Sequence, residues 1–221
     1  MIIAEPLAVV AGPAWHRSIA ALRSSAARST NCRSQTLAHD DPTSKPRAFS
    51  CAPSSSDLDD LARIYADPEV MRFIPPGPLD REATAEELLW HIADGDPDRP
   101  GYCLAAAILK ETGRLAGRCG LLAWTIDGAD EVEIAYLVDR PHWGRGLGRE
   151  MAAGLVDLGF NRRGHDRLIA LVHPGNTASI RTAEGAGLSF ERTLDGEFAP
   201  FRLYAMGRGE PAKRQGGAQP L

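Results

Sequence analysis

The stretch Trp143-Gly144-Arg145-Gly146-Leu147-Gly148 holds three glycines within five positions, with Arg145 among them and Arg149 directly after. Without side chains at Gly144, Gly146 and Gly148, backbone N–H groups can turn toward one point. A helix starting near Leu147 adds the partial positive charge of its N-terminus there, and the two arginines add formal charge. Such a site suits a pyrophosphate. Glycines at this density also make plain turns, so the stretch has to be tested against named motifs. A dinucleotide-binding fingerprint starting at Gly144 requires glycine at 149, where arginine stands. A P-loop must end in Gly-Lys-Ser/Thr, which is absent.

The loop needs a strand before it and a helix after it. Pro141 ends the strand, because it has no N–H for a ladder, and Val132 to Val138 read as that strand. Leu147, Met151, Leu155 and Leu158 fall on one face of the following helix. Upstream, Tyr102 to Leu109 and Leu115 to Ile126 are strand-like around Glu111-Thr112-Gly113-Arg114, a hairpin, and Asp127 to Asp130 make a second turn. Downstream come a strand at Arg167 to Val172, a helix at Asn176 to Glu184, and strands at Leu188 to Arg192 and Phe201 to Met206. Before the hairpin, Leu58, Leu61, Ile64 and Tyr65 sit at helical spacing with Asp57 as the cap. Pro75-Pro76-Gly77-Pro78 breaks the chain. A second helix carries Leu88, Leu89 and Ile92 on its apolar side, and Asp94 to Gly101 is a loop. Helices, an antiparallel meander, then alternating strand and helix predict one mixed α/β (α+β) domain over residues 51–207.

Composition narrows the partners. The 221 residues carry a net charge of -4, with 43% hydrophobic and 24% charged residues, as in an ordinary globular protein. Residues 1–50 hold six Lys/Arg and three Asp/Glu, so the remainder carries 19 and 26, a charge of -7. That balance speaks against nucleic acid and suits a cationic substrate such as an amine. No run approaches the roughly 20 apolar residues of a membrane span. Cys32, Cys51, Cys103 and Cys119 share no metal or disulfide spacing, so reduced thiols in a cytoplasm and no bound metal are expected. Residues 1–50 are Ser-, Arg- and Ala-rich with no sustained period. They read as a disordered extension or a wrongly assigned start, and the composition also fits a transit peptide. Residues 208–221 read as a disordered tail.

Taken in order, several stretches resemble the GNAT N-acetyltransferases, in the RimJ/RimL-like branch that acetylates ribosomal protein N-termini. They are Ala66-Asp67-Pro68-Glu69-Val70-Met71, Glu133-Ile134-Ala135-Tyr136, the glycine loop through Glu150, Asn176-Thr177-Ala178-Ser179-Ile180-Arg181, and Gly187-Leu188-Ser189-Phe190-Glu191. The resemblance spans about residues 57 to 206. It implies a mostly antiparallel sheet of six to seven strands with about four helices, splayed between its fourth and fifth strands, with acetyl-CoA in the split. Val132 to Val138 resembles the fourth strand. The family's bulge there, which frees backbone groups for the pantetheine arm and thioester carbonyl, falls around Leu137 and Val138. Arg145, Gly146, Gly148 and Arg149 map onto the pyrophosphate loop and Asn176 onto the residue contacting the CoA arm. A homodimer is compatible with the family and unread in the sequence.

Acyl transfer to an amine requires a neutral nucleophile, a polarised carbonyl and a donor for the leaving thiolate. An α-amine, with pKa about 7.7–8.0, is partly neutral already, whereas a lysine amine at about 10.4 must be deprotonated at greater cost. Glu133 is the base candidate. It reads equally as a hydrogen-bonded sheet carboxylate that positions a loop. His173 is a second candidate, or a loop histidine packed on the sheet. Relatives place a Tyr seven residues after the Asn; here Ala183 stands, and Ser179 is the branch's replacement donor or a plain first-turn hydroxyl. Tyr136 and Tyr204 read as core or pocket-wall residues, Trp143 as loop packing, and Trp90 and Trp124 as candidates for an acceptor pocket. Arg47 to Pro53 is a poor version of the family's first strand, which leaves the next strand with an exposed edge. Two readings stand: an N-acetyltransferase for a protein N-terminus or small-molecule amine, and a CoA-binding interaction module without turnover.

Overall fold

The computed structural model describes residues 36–37, 49–50, 54–93, 99–195 and 200–209. Most of the extension expected over 1–50 and nearly all of the tail expected over 208–221 lie outside the described residues.

Two short strands, β1 (Thr36–Leu37) and β2 (Phe49–Ser50), pair with each other antiparallel, apart from the main sheet. Of the poor first strand only Phe49 and Ser50 are described; they lie beside the strand Leu104–Ile108 without joining its ladder. A single 3-10 turn at Ser55–Asp57 leads into α1 (Leu58–Tyr65). Asp57 does not cap α1 with its side chain. Its carboxylate instead accepts the Ser54 N–H at 3.0 Å, closing a capping box one turn earlier. Asp67 caps the short helix α2 (Pro68–Met71), with Pro68 in its first turn. Asp80 caps α3 (Arg81–Ile92) through Ala83 N–H at 2.8 Å.

The six-stranded sheet runs β3 (Leu104–Ile108), β4 (Leu115–Ile126), β5 (Ala129–Val138), β6 (Arg167–Val172), β8 (Phe201–Gly207), β7 (Ser189–Leu194), where β8 follows β7 in the chain. Every neighbouring pair is antiparallel except β5–β6. The turn before β5 is shorter than the sequence reading: Ile126 pairs with Ala129, so Asp127 and Gly128 alone close the hairpin, at φ 52° and 78°. Two successive positive φ values suit the right-handed strand twist, and Asp-Gly accommodates them.

One sheet face is covered by α4 (Leu147–Asp157) and α5 (Thr177–Gly185). Here Leu147, Met151, Leu155 and Leu158 pack with Cys119, Leu121, Ile134, Leu168, Ala170 and Tyr204, as the spacing in α4 requires. On the other face α1, α2 and α3 supply Leu61, Ile64, Val70 and Leu88 against Ala106 and Leu115. The inward side of α3 is not the apolar stripe expected, since Leu89 is 60% exposed while Thr84, Glu87 and His91 are buried. Thr84 donates to Asp80 C=O, and Glu87 is met by Arg118 on β4, which also donates to Tyr65 Oη and to Leu104 C=O. Burial and Arg118 lower the His91 pKa to about 4, so the ring is neutral. Its Nδ1 accepts the Leu104 N–H at 3.0 Å, which leaves Nε2–H to donate to Glu87 Oε1 at 2.9 Å.

Candidate active site

The parallel pair β5–β6 is joined at one register position, Glu133 opposite Ile169. Beyond it, toward their C-terminal ends, no backbone pair joins the strands and the Leu171 N–H goes to a side chain instead, so the sheet is forked there. The split expected between these strands is therefore present. Its cause differs from the one expected. The β4–β5 register is unbroken from Gly117–Val138 to Ile126–Ala129, with no bulge in β5. Divergence from β6 itself frees the backbone groups. Asp139 N–H donates to Ala116 C=O on the β4 side, and strand groups alternate in direction. Leu137 accordingly turns its N–H and C=O to β4, while Val138 and Tyr136 turn theirs to the split. Trp143 Nε1–H occupies the Val138 C=O at 2.7 Å. The β4–β5 crossing is tight, for a Cβ on Gly117 (φ 152°) would lie 2.0 Å from Leu137 O.

Glu133 sits at the closed end of the fork and is 8% exposed. Its Oε2 accepts the Trp124 indole N–H at 2.7 Å and its Oε1 accepts the Leu171 N–H at 3.3 Å. A continued parallel ladder would give that Leu171 N–H to β5 backbone, so the carboxylate takes the place of a ladder bond. Burial pushes the Glu133 carboxyl up to about 7, against the pull of these two donors. A carboxyl poised there exchanges protons near neutrality. Glu133 thus bridges the fork, holding the Trp124 indole and the Leu171 N–H with one carboxyl.

The glycine loop lies at the open end of β5. Gly146 is the residue before α4, at φ 82°, and Glu150 N–H to Gly146 C=O at 3.1 Å closes the first turn. The N–H groups of Leu147, Gly148 and Arg149 precede that bond and face out of the helix end. Gly144 and Gly146 have nothing within 4 Å of a would-be Cβ, and Gly144, Arg145, Gly146 and Arg149 are all exposed. Arg145 Nη1 lies 3.1 Å from His142 Nδ1. Gly148 sits where three elements meet, its would-be Cβ 3.8 Å from Thr182 Oγ1 on α5 and 3.9 Å from Val138 Cγ2. A glycine loop with open space over it therefore borders the β5 edge of the split.

Asn176 caps α5, its Oδ1 accepting Ser179 N–H at 3.1 Å. Ser179 Oγ lies 3.2 Å from the hydroxyl of Tyr136. His173 follows β6, two residues beyond Leu171, whose N–H is held by Glu133. Its Nδ1 accepts Gly175 N–H at 3.0 Å, and its ring packs on Phe73 at 5.0 Å between centroids. Ala183 is buried in the helix-side core.

Sequence reading missed the segment from α1 to Phe73 as part of this site. Arg63 grips Asp139, which is 3% exposed, in two hydrogen bonds of 2.6 and 3.2 Å, and Asp67 pairs with Arg140 at 3.0 Å. Phe73 reaches His173. One segment thus touches the ends of both β5 and β6, on the face that carries Glu133. The only signal in the sequence was an Arg and an Asp on α1 and its exit, which solvated helices also carry.

Residues 51–189 match the family described as Acetyltransferase (GNAT) domain. The chain belongs to the GNAT acetyltransferase family and is an acyltransferase. The uncharacterized protein YkkB of Bacillus subtilis is 34% identical over 143 residues, 64% of this chain and 80% of that one. The ribosomal-protein-S5-alanine acetyltransferase of Vibrio fischeri is similar in fold, with a TM-score of 0.59 at 16% identity over 73% of this chain and 94% of that one. The aminoglycoside acetyltransferase AAC(6')-Ib, in a complex with coenzyme A, gives a TM-score of 0.55 at 19% identity over 69% and 90%. Among the described residues no helix is long and apolar enough to cross a membrane, and no group of three or more His, Cys, Asp or Glu could hold a metal.

Proposed function

We propose that this acyltransferase moves an acetyl group from acetyl-CoA to the α-amine of a peptide N-terminus, in a ternary complex, as in the RimJ/RimL-like branch. The observation that carries the reading is Glu133, a buried carboxyl raised to about 7 at the closed end of a forked sheet whose open end adjoins an anion cradle. A base of that strength matches an α-amine, about one pH unit above it, far better than a lysine amine. The fold neighbour from Vibrio fischeri, by name an alanine acetyltransferase of a ribosomal protein, favours the peptide acceptor.

Acetyl-CoA supplies the acyl group as an activated thioester. Residues fit for holding it are Gly146 and Gly148 with the N–H groups of the α4 end, the exposed Arg145 and Arg149, and the Asn176 amide. Val138 N–H turns into the split and donates to the carbonyl oxygen as charge develops there. Glu133 and Ser179 have distinct tasks. Glu133 points to the face of α1 and α3, and Tyr136, three residues on, carries its side chain to the face of α4 and α5 with Ser179. The amine therefore meets Glu133 from one side and gives it a proton, while Ser179 Oγ–H donates a hydrogen bond to the departing sulfur from the other. A solvent proton then neutralises the thiolate.

Calorimetry with acetyl-CoA, followed by thiol release over a panel of N-terminal peptides, lysine-blocked peptides and small amines, tests the reading. Binding with turnover on free N-terminal peptides is expected. Absence of binding at 1 mM by folded protein overturns the cofactor assignment, and turnover confined to small amines overturns the acceptor.

A further inference from the structure

We propose that Tyr136 is a positioning residue that aims the Ser179 hydroxyl into the split, an inference that rests on the acyl-transfer reading above. The phenol and the serine come from opposite sides of the fork. Tyr136 belongs to β5, and Ser179 lies in the first turn of α5, four residues of loop beyond the end of β6. Between them the Tyr136 hydroxyl lies 3.2 Å from both Ser179 Oγ and Ser179 C=O, so its single proton can go to either. On the helix side of the sheet, this contact ties β5 to α5, the helix that follows β6.

The geometry leaves Ser179 one degree of freedom. Its N–H is fixed by the Asn176 cap at 3.1 Å, and its position in α5 fixes the backbone, so the hydroxyl rotor alone is undetermined. A phenol has one proton and two lone pairs. When its O–H points at Ser179 C=O, its lone pair draws the serine proton toward Tyr136. When it points at Ser179 Oγ, the serine proton is turned away from Tyr136 and is free for an acceptor in the split. Burial pushes the Tyr136 pKa up to about 12, so the phenol holds its proton throughout the neutral range. Tyr136 therefore gives up no proton at any step. The C–S bond breaks with its electron pair on sulfur, Ser179 donates a hydrogen bond to that sulfur, and Tyr136 sets the direction of the donation. Ala183, one turn along α5, is buried in the helix-side core and brings no hydroxyl to the split, while Thr182 lies beside Gly148 with its own hydroxyl on Ala178 C=O.

The test is a double-mutant cycle on the full chain, Tyr136→Phe, Ser179→Ala and both together, with acetyl-CoA and the best peptide of the panel. Tyr136→Phe keeps the ring and removes only the hydroxyl. Its kcat should fall about tenfold, in keeping with one lost hydrogen bond, with KM for acetyl-CoA within twofold and an equal loss at pH 6 and pH 9. The double variant should be no slower than Ser179→Ala alone. Losses that multiply, or a Tyr136→Phe effect confined to KM or to melting temperature, overturn the assignment. Ser179→Thr is a second check, since it retains a hydroxyl and should keep its activity only while Tyr136 is present. Absence of wild-type turnover overturns the acyl-transfer reading and this inference together, whereas turnover with multiplying losses overturns this inference alone.

Discussion

Replacing Glu133 by glutamine separates its structural work from its titration. The carboxyl accepts one hydrogen bond on each oxygen, from Trp124 and from Leu171 N–H, and burial holds it at about 7 against an ordinary 4.5. An acid whose folded pKa lies above its unfolded value binds more protons in the folded state. Its contribution is complete below about pH 4.5, declines as pH rises, and is lost above about pH 7. Two and a half pH units at about 1.36 kcal/mol each amount to about 3 kcal/mol over that window. Glutamine does not titrate, and it offers one oxygen where two donors wait. One buried N–H then faces an NH2 group, a cost of about 1–3 kcal/mol at any pH. At pH 5 the variant should be the less stable protein by about that amount. By pH 8 the difference should vanish or reverse, because only the wild type has lost its protonation term. Urea unfolding followed by tryptophan fluorescence at pH 5, 6, 7 and 8 measures this directly. A stability difference constant across that range would refute the raised pKa. The same variant should lose about 10²–10⁴ in rate, with the loss shrinking as pH rises and more of the amine is already neutral.

Three glycine substitutions distinguish the cradle from the sheet. Gly146→Asp places its side chain where no protein atom lies within 4 Å, at φ 82°. It should cost about 1 kcal/mol in unfolding yet abolish acetyl-CoA binding by calorimetry, and unchanged affinity would remove this loop from the cofactor site. Gly117→Ala, whose Cβ would lie 2.0 Å from Leu137 O, should lose more than about 3 kcal/mol in urea unfolding through overpacking and strain. Gly148→Ala, with only ordinary contacts at 3.8 Å and beyond, should shift stability by under about 1 kcal/mol. Equal stabilities of these last two would contradict the close β4–β5 crossing.

Much of the frame was legible because it is written in local rules. The hairpin strands, the α4 stripe Leu147-Met151-Leu155-Leu158 and the helix from Asn176 follow from period and side-chain chemistry alone, and the structure places all of them within a residue or two. What failed were features set by partners distant in sequence. Leu89 looked apolar and inward, but α3 turns Glu87 and His91 to the sheet because Arg118, 31 residues from Glu87, waits beneath them. The Glu133 candidate was visible from a resemblance, whereas the raised carboxyl and the Leu171 bond exist only once β5 and β6 part company. Tyr136 was read as a wall residue because nothing in its own segment reveals a serine 43 residues away.

The segment from Arg63 to Phe73 has a consequence for how the two substrates influence one another. It is fastened to the β5 end by Arg63–Asp139 and Asp67–Arg140, and to the β6 end by Phe73 against His173. Any ligand that spreads the fork stretches these fastenings, and any ligand seated under the segment bears on the same three contacts from the other side. Linkage then makes the effect mutual: whatever free energy an acceptor gains from a particular fork width, the cofactor gains in its presence by the same factor. On the acyl-transfer reading, affinity for the cofactor and choice of acceptor are coupled through one stretch of chain, fastened at Asp139, Arg140 and His173.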